Sequence, residues 1–229
     1  MGLGYLGRGR VCPICGARRR KFLPYGYVTS REDALCPRCL SLERHRMIWL
    51  WLKESSNLFE GYPRLLHIAP EVSLMRHFKR HYRDNRNYIT ADLESPLADL
   101  HFDVQNIPLE EESVDVIICN HLLEHVEDDR RAMAELYRIL KHGGWGIMLV
   151  PEDRGRATTF EDDTITDAEE RTRIFGQYDH RRIYGRDYDE RLKEAGFRVE
   201  RIAYNERLST EQRQRYAIGT DDLIVVYKD

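Results

Sequence analysis

Long apolar runs are missing from this 229-residue chain. The longest, Met47 to Leu52, falls far short of the roughly 20 residues that a bilayer span needs, so no transmembrane segment is expected. The opening MGLGYLGRGR lacks the apolar core of a secretory leader and has no Ser or Thr at position 6 for a myristoylation signal. Both absences favour a cytoplasmic protein without membrane attachment. Disorder is set aside as well, because 41% of the residues are hydrophobic. The length suits one ordinary domain with a smaller piece attached.

Only five cysteines occur, but four of them fall as C-P-I-C-G (Cys12, Cys15) and C-P-R-C-L (Cys36, Cys39). Each Cys-x-x-Cys turn aims two thiolates at one point, and two such turns complete the tetrahedral sulfur cage that Zn²⁺ prefers. Disulfides or a redox pair suit a doubled motif in a cytosolic chain less well. Four thiolates leave no open position for water, so the expected ion is structural and residues 1–40 form a zinc ribbon that unfolds without it. Gly16 fits the tight turn after the first pair. Cys119, inside VDVIIC, reads as a buried strand residue.

Charge is uneven. Residues 1–60 carry 11 Lys or Arg against 5 Asp or Glu, while the whole chain is at -3, so a basic head precedes an acidic body. The stretch SLERHRMIWLWLKESS reads as a linking helix over 41–60, capped by Ser41, with Leu42, Trp49 and Leu52 on one stripe. Its apolar centre has no polar side and must be covered on more than one face, as a wedge between the ribbon and the larger domain. Arg44, His45 and Arg46 are then either surface charges on its first turns or groups at a cleft.

From residue 61 to 229 strands alternate with helices. RLLHIA, NYITAD, VDVIICN, WGIMLVP, FRVERIAY and DLIVVY read as strands. Leu74, Phe78 and Tyr82 mark one helix, and Ala132, Leu136 and Leu140 a second, capped by Asp128 or Asp129 and ended by Lys141, His142 and Gly143. DERLKEAGF reads as a third, stopped by Gly196. Such alternation gives an α/β fold with a parallel sheet covered on both faces. No helical pattern separates the last two strands, which can pair as an antiparallel hairpin.

Ligands of such sheets sit beyond the carboxyl ends of the strands. Asp92, closing NYITAD ahead of Leu93, can accept hydrogen bonds from both hydroxyls of a ribose. Asp103 can take the amino group of an adenine while Val104 and Ile107 cover its faces. Asn120 and His121 end VDVIICN, and Glu124 and His125 follow in the same loop.

SVDVIICNHLLEHVEDDRRAMAELYRILKHGGWGIMLVP and RIYGRDYDERLKEAGF resemble the corresponding segments of class I S-adenosylmethionine-dependent methyltransferases of the type 11 kind. The ribbon with SLERHR resembles a bacterial subgroup carrying an N-terminal zinc module. The resemblance spans nearly the whole chain and implies a Rossmann-like seven-stranded sheet, mostly parallel with the last strand antiparallel, that binds S-adenosylmethionine. One departure stands out. Where the family has a Gly-rich turn after the first strand, this chain reads His67-Ile68-Ala69-Pro70-Glu71, which also counts against a nicotinamide dehydrogenase. Ala69 permits close approach, but Pro70 offers no N–H. A side chain must compensate, with His67 or Arg44 binding the methionine carboxylate and Glu71 the ammonium.

The resemblance implies methyl transfer to an O or N atom of an acceptor. His121, His125 and His180, with Glu124, are the candidates for moving its proton. Asp179 neighbours His180, but adjacent residues point apart and form no dyad. The segment from Glu152 to Glu170 holds eight acidic residues and two arginines, with Thr166 to Glu169 as a capping box and Gly176 ending a short helix. An acidic lid repels phosphates and favours a small-molecule acceptor. The alternatives are an RNA methyltransferase that holds nucleic acid through Arg18, Arg19, Arg20 and Lys21, and a non-catalytic binding module.

Overall fold

The structure, a computed structural model, describes residue 5 and residues 7–26, 28–83 and 85–229. Met1 to Gly4 and Leu6, on which the leader and anchor readings rest, lie outside the described residues. No helix among the described residues is long and apolar enough to cross a membrane. Two compact units are present: Met1–Tyr62 with Glu71–Asp84 and Arg201–Leu223, and Pro63–Pro70 with Asn85–Glu200 and Ile224–Asp229.

In the first unit, β1 (Arg10–Val11) pairs antiparallel with β2 (Arg18–Arg19), and β3 (Leu23–Tyr25) with β4 (Arg31–Leu35). Helix α1 (Glu43–Ser55) follows. Ser41 is not its cap. The cap is Leu42, whose N–H donates to Nδ1 of His45 at 3.2 Å, while the Ser41 hydroxyl lies 3.3 Å from the sulfurs of both Cys12 and Cys39. Competition from two sulfurs has taken the side chain that the helix would have used.

His45 and Arg46 are buried, not surface charges. Arg46 donates through Nη1 to the carbonyls of Ala34 and Ser41 and through Nε and Nη2 to those of Tyr216 and Ala217, with its guanidinium over the Phe22 ring. One buried charge thus ties β4 to the segment from 201 to 223. Helix α2 (Val72–Tyr82) buries Leu74, Phe78 and Tyr82 as their spacing of four requires.

The central sheet is seven-stranded. Its members are β5 (Leu65–Ile68), β6 (Tyr88–Asp92), β7 (Leu100–His101), β8 (Val114–Cys119), β9 (Leu140–Ile147), β12 (Arg198–Ile202) and β13 (Leu223–Tyr227). A separate ribbon pairs β10 (Phe160–Glu161) with β11 (Arg182–Ile183). The order in the sheet is β12-β13-β9-β8-β5-β6-β7. From β5 to β9 all pairings are parallel, and β13 runs antiparallel to β9. All four β5 residues are buried, as expected of a strand covered on both faces.

Several boundaries differ from the sequence reading. Helix α3 (Asp129–Ile139) is capped by Asp128, which accepts from the Arg131 N–H. It ends before Lys141, His142 and Gly143, which already belong to β9. There Lys141 pairs with Asp115 at 2.7 Å and Gly143 donates to the Lys228 carbonyl, so strand pairing outweighs the helix-stop pattern. Helix α4 (Ala168–Phe175) is capped by Asp167, one residue after the expected start of the capping box, and Gly176 ends it at φ +90. Helix α5 (Tyr188–Glu194) leads to Gly196 at φ +111. β12 and β13 are neighbours, but not a simple hairpin: a 3₁₀ turn (Tyr204–Arg207) and helix α6 (Thr210–Tyr216), capped by Ser209, lie between them in sequence.

Candidate functional site

The four cysteines converge. Cys12 and Cys39 sulfurs are 3.6 Å apart and those of Cys15 and Cys36 3.8 Å, with one ligand atom of each residue within 4.8 Å of the others. A tetrahedron with metal–sulfur bonds of about 2.3 Å has edges near 3.8 Å, so the cage has the right size. The two knuckles repeat one geometry. Cys12 N–H donates to Ala17 and Gly16 to Cys12, and Cys36 N–H donates to Ser41 and Leu40 to Cys36. Gly16 and Leu40 both adopt left-handed backbone, at φ +69 and +61.

Crowding separates the four thiols electrically. Hydrogen bonds from Cys36 and Cys39 pull Cys12 far down, whereas burial pushes Cys15, and the hydrogen bond with Cys12 pushes Cys39, up to about 11. Four such groups cannot all ionise without a cation among them. Cys119 is buried in β8 and stands apart from this cluster.

In the second unit the chain starts at the sheet's centre with β5, moves outward to β6 and β7, then returns to the other side of β5 as β8. This places the switch point between β5 and β8, the position beyond whose strand ends open α/β sheets bind their ligands. Two non-glycine residues there have positive φ, Ala69 at +47 after β5 and His121 at +51 after β8. Backbone strain of this kind costs about 1–2 kcal/mol per residue and persists only where the surroundings enforce it. Here Ala69 donates to the Ala91 carbonyl and His121 to that of Leu149.

His67 is wholly enclosed in β5, with Nδ1 3.0 Å from the Tyr88 hydroxyl. Asp92 accepts the Glu94 and Ser95 N–H groups through Oδ1 alone, leaving Oδ2 over; Leu93 beside it is 64% exposed. Asp103 is folded back on Gln105, which donates to it from backbone and side chain. Val104 and Ile107 are buried, and Asn120 accepts the Leu149 N–H. In the first unit, Arg44 has a buried Nε without a hydrogen-bond partner, and Glu71, preceding α2, lies 3.8 Å from Nε2 of His45. Burial lowers the Arg44 pKa against the opposing charge of Glu71.

The loop after β8 brings the four proton-moving candidates together. Glu124, 1% exposed, lies with Oε1 3.2 Å from Nδ1 of His121 and 4.0 Å from Nε2 of His125. Burial would raise its pKa, but the hydrogen bond from His121 and the charges of His121 and His125 outweigh it and hold the carboxyl below its ordinary range. The His125 and His180 rings meet edge to face at 4.7 Å. Asp179 pairs with Nδ1 of His125 at 3.3 Å.

Sequence reasoning missed what holds this loop. Arg182, 2% exposed, donates to the carbonyls of Leu123, Val126 and Glu127 and to Glu161. Arg191 bridges Asp129 and Glu161, and Tyr184 donates to the Leu123 carbonyl and Asp129. The only sequence signal was an arginine two residues beyond a candidate histidine. The acidic segment is also less free than its count suggests. Glu161 belongs to this network, Asp153 pairs with Arg156, and Asp163 with Arg181.

Residues 61–148 match a family model described as a methyltransferase domain. No curated protein matches the chain. Among solved structures, a Listeria monocytogenes protein assigned as an S-adenosylmethionine-dependent methyltransferase is similar at 17% identity and TM-score 0.52, covering 81% of this chain and 99% of its own. A SAM-dependent methyltransferase from Archaeoglobus fulgidus gives 13% and 0.50, covering 84% and 96%. Identities this low speak to fold. Residues 61–148 thus match a methyltransferase domain, and the sheet around them has the Rossmann-like methyltransferase fold.

Proposed function

We propose that this protein is an S-adenosylmethionine-dependent methyltransferase acting on an O or N atom of a small-molecule acceptor. The observation that carries the reading is the topological switch point between β5 and β8, with left-handed Ala69 just after β5 and the leftover Oδ2 of Asp92 at the end of the next strand. Asp92 would hold the ribose hydroxyls. Asp103, after exchanging its Gln105 contacts, would take the adenine amino group beside Val104. Leu93, Asn120, Ala69 and Pro70 would complete the nucleoside surroundings. His67 or Arg44 for the methionine carboxylate, and Glu71 for the ammonium, are proposals resting on the chemistry a Gly-poor turn demands.

The cofactor would supply a methyl group on a sulfonium already reactive toward nucleophiles. The chain's part is to align the acceptor with it and exclude water. His121 is the favoured proton acceptor, because Glu124 holds its Nδ1 and stabilises the imidazolium that a proton would create. A thermal titration tests the reading. S-adenosylmethionine at 100 times its Kd should stabilise the folded chain by about 2.7 kcal/mol, and Asp92→Asn should remove most of that shift. No shift in the unsubstituted protein would favour a non-catalytic module.

The same argument supports Zn²⁺ at Cys12, Cys15, Cys36 and Cys39, where it would be structural. A second reading, RNA methylation, is favoured by a cavity of about 310 Å³ in the first unit, lined by Arg8, Arg10, Arg18 and Arg215 together with Glu211 and Gln214. RNA affinity with a steep salt slope, weakened by Arg18→Ala, would replace the small-molecule assignment.

A further inference from the structure

We propose that Glu124, His125 and His180 form a second metal site, for a divalent first-row cation of the Mn²⁺, Fe²⁺ and Zn²⁺ class, separate from the four cysteines. One ligand atom from each residue lies within 4.8 Å of the others. Small side-chain rotations bring such atoms to the roughly 3 Å separations of ligands about 2.1 Å from a shared ion.

The unused ligand atoms support this assignment. Glu124 is 1% exposed and its Oε1 is taken by His121, but Oε2 is buried with no hydrogen-bond partner, a costly arrangement that a cation would relieve. His180, also buried, donates from Nδ1 to the Phe175 carbonyl at 3.0 Å, which leaves the lone pair on Nε2. His125 is held the same way by Asp179 on Nδ1, leaving Nε2 on the side of Glu124. Each imidazole is thus oriented by a carbonyl or carboxylate on its far nitrogen, as metal-binding histidines are. Asp179 is itself fixed by the Gln177 amide.

Two imidazoles and one carboxylate do not fill an octahedral shell. The open positions would take water, or an oxygen or nitrogen of the acceptor beside His121. Only this last point rests on the methyltransferase reading; cation binding does not.

Manganese separates the two metal sites, since it favours nitrogen and oxygen ligands over thiolates. In a titration of the full chain with Mn²⁺ followed by electron paramagnetic resonance, one ion per chain should lose its free-ion signal at submillimolar concentration, and Zn²⁺ should displace it. Glu124→Gln and His180→Gln should each weaken binding at least 10-fold. Asp179→Asn, at a half-exposed position that spares the core, should weaken it by about 10-fold through His125 alone. An unbound ion at millimolar concentration, or affinity unchanged in a folded Asp179→Asn and a folded His180→Gln, would overturn the site. The titration contains no S-adenosylmethionine, so a failure of the methyltransferase reading, seen as an absent thermal shift, is read independently.

Discussion

At the scale of single residues, left-handed backbone marks both candidate sites. Leu40 occupies the position that Gly16 holds in the first knuckle, and its side chain is 59% exposed, so little packing depends on it. Relief of strain worth about 1–2 kcal/mol, less the roughly 0.5–1 kcal/mol entropy cost of glycine, should make Leu40→Gly stabilising by up to about 1 kcal/mol. A urea midpoint below that of the unsubstituted chain would contradict this. Ala69 carries the related lesson for the cofactor turn. Its sequence shows the glycine missing, but only the structure shows that φ still takes the value a glycine would favour. Buried arginines were not legible at all, because their charge gives no hint of the carbonyls folding brings to them. Arg182→Met should cost about 3–5 kcal/mol by chemical denaturation, since it strands three loop carbonyls and leaves Asp129 and Glu161 with less positive charge.

Among the elements, carboxylates hold loops against α3 and β11. Glu135 on α3 accepts the Ile107 N–H, and Arg138 donates to the Ile107 and Leu109 carbonyls, which fixes the chain after Asp103. The hydrogen bond from Arg138 lowers the Glu135 pKa. At Glu161 burial acts to raise it, but Arg182 and Arg191 prevail and it too is lowered. A depressed carboxyl stabilises the fold fully above its unfolded value of 4.5, and that contribution is lost as pH falls from there through the folded value. Stability should therefore be insensitive to these two groups near neutrality and decline below about pH 4.5. Urea midpoints across pH 3 to 7 should show a shallower acid limb in Glu135→Gln. Element types were readable from apolar periodicity, and boundaries were not. Thr166 gave way to Asp167 as a cap, and Lys141 to Gly143 joined a strand, because cap and strand hydrogen bonds are settled by three-dimensional partners.

For the whole molecule, the expectation is that zinc removal is felt first in the unit that contains the cysteines. The Cys12–Cys39 cage, Ser41 and Arg46 lie in that unit with α1, α2 and the segment from 201 to 223. A strong chelator should expose amide hydrogens in 10–55 and 201–222 to exchange before those of β5 and β8. Uniform exchange across both units would show that the ion does not hold this unit together.

The sequence by itself determined what local chemistry can write: two Cys-x-x-Cys turns with tetrahedral reach, and strand and helix alternation that dictates a parallel sheet. It also placed Asp92, Asn120 and His121 at strand ends. Only the tertiary structure decided the pairings. Asp179 paired with His125, Glu124 took up His121 and His125 on one oxygen with the other left over, and Arg46 and Arg182 were buried as struts. These outcomes depend on which distant carbonyls and carboxylates the sheet order brings within reach, a property of closure in space that no local spacing encodes.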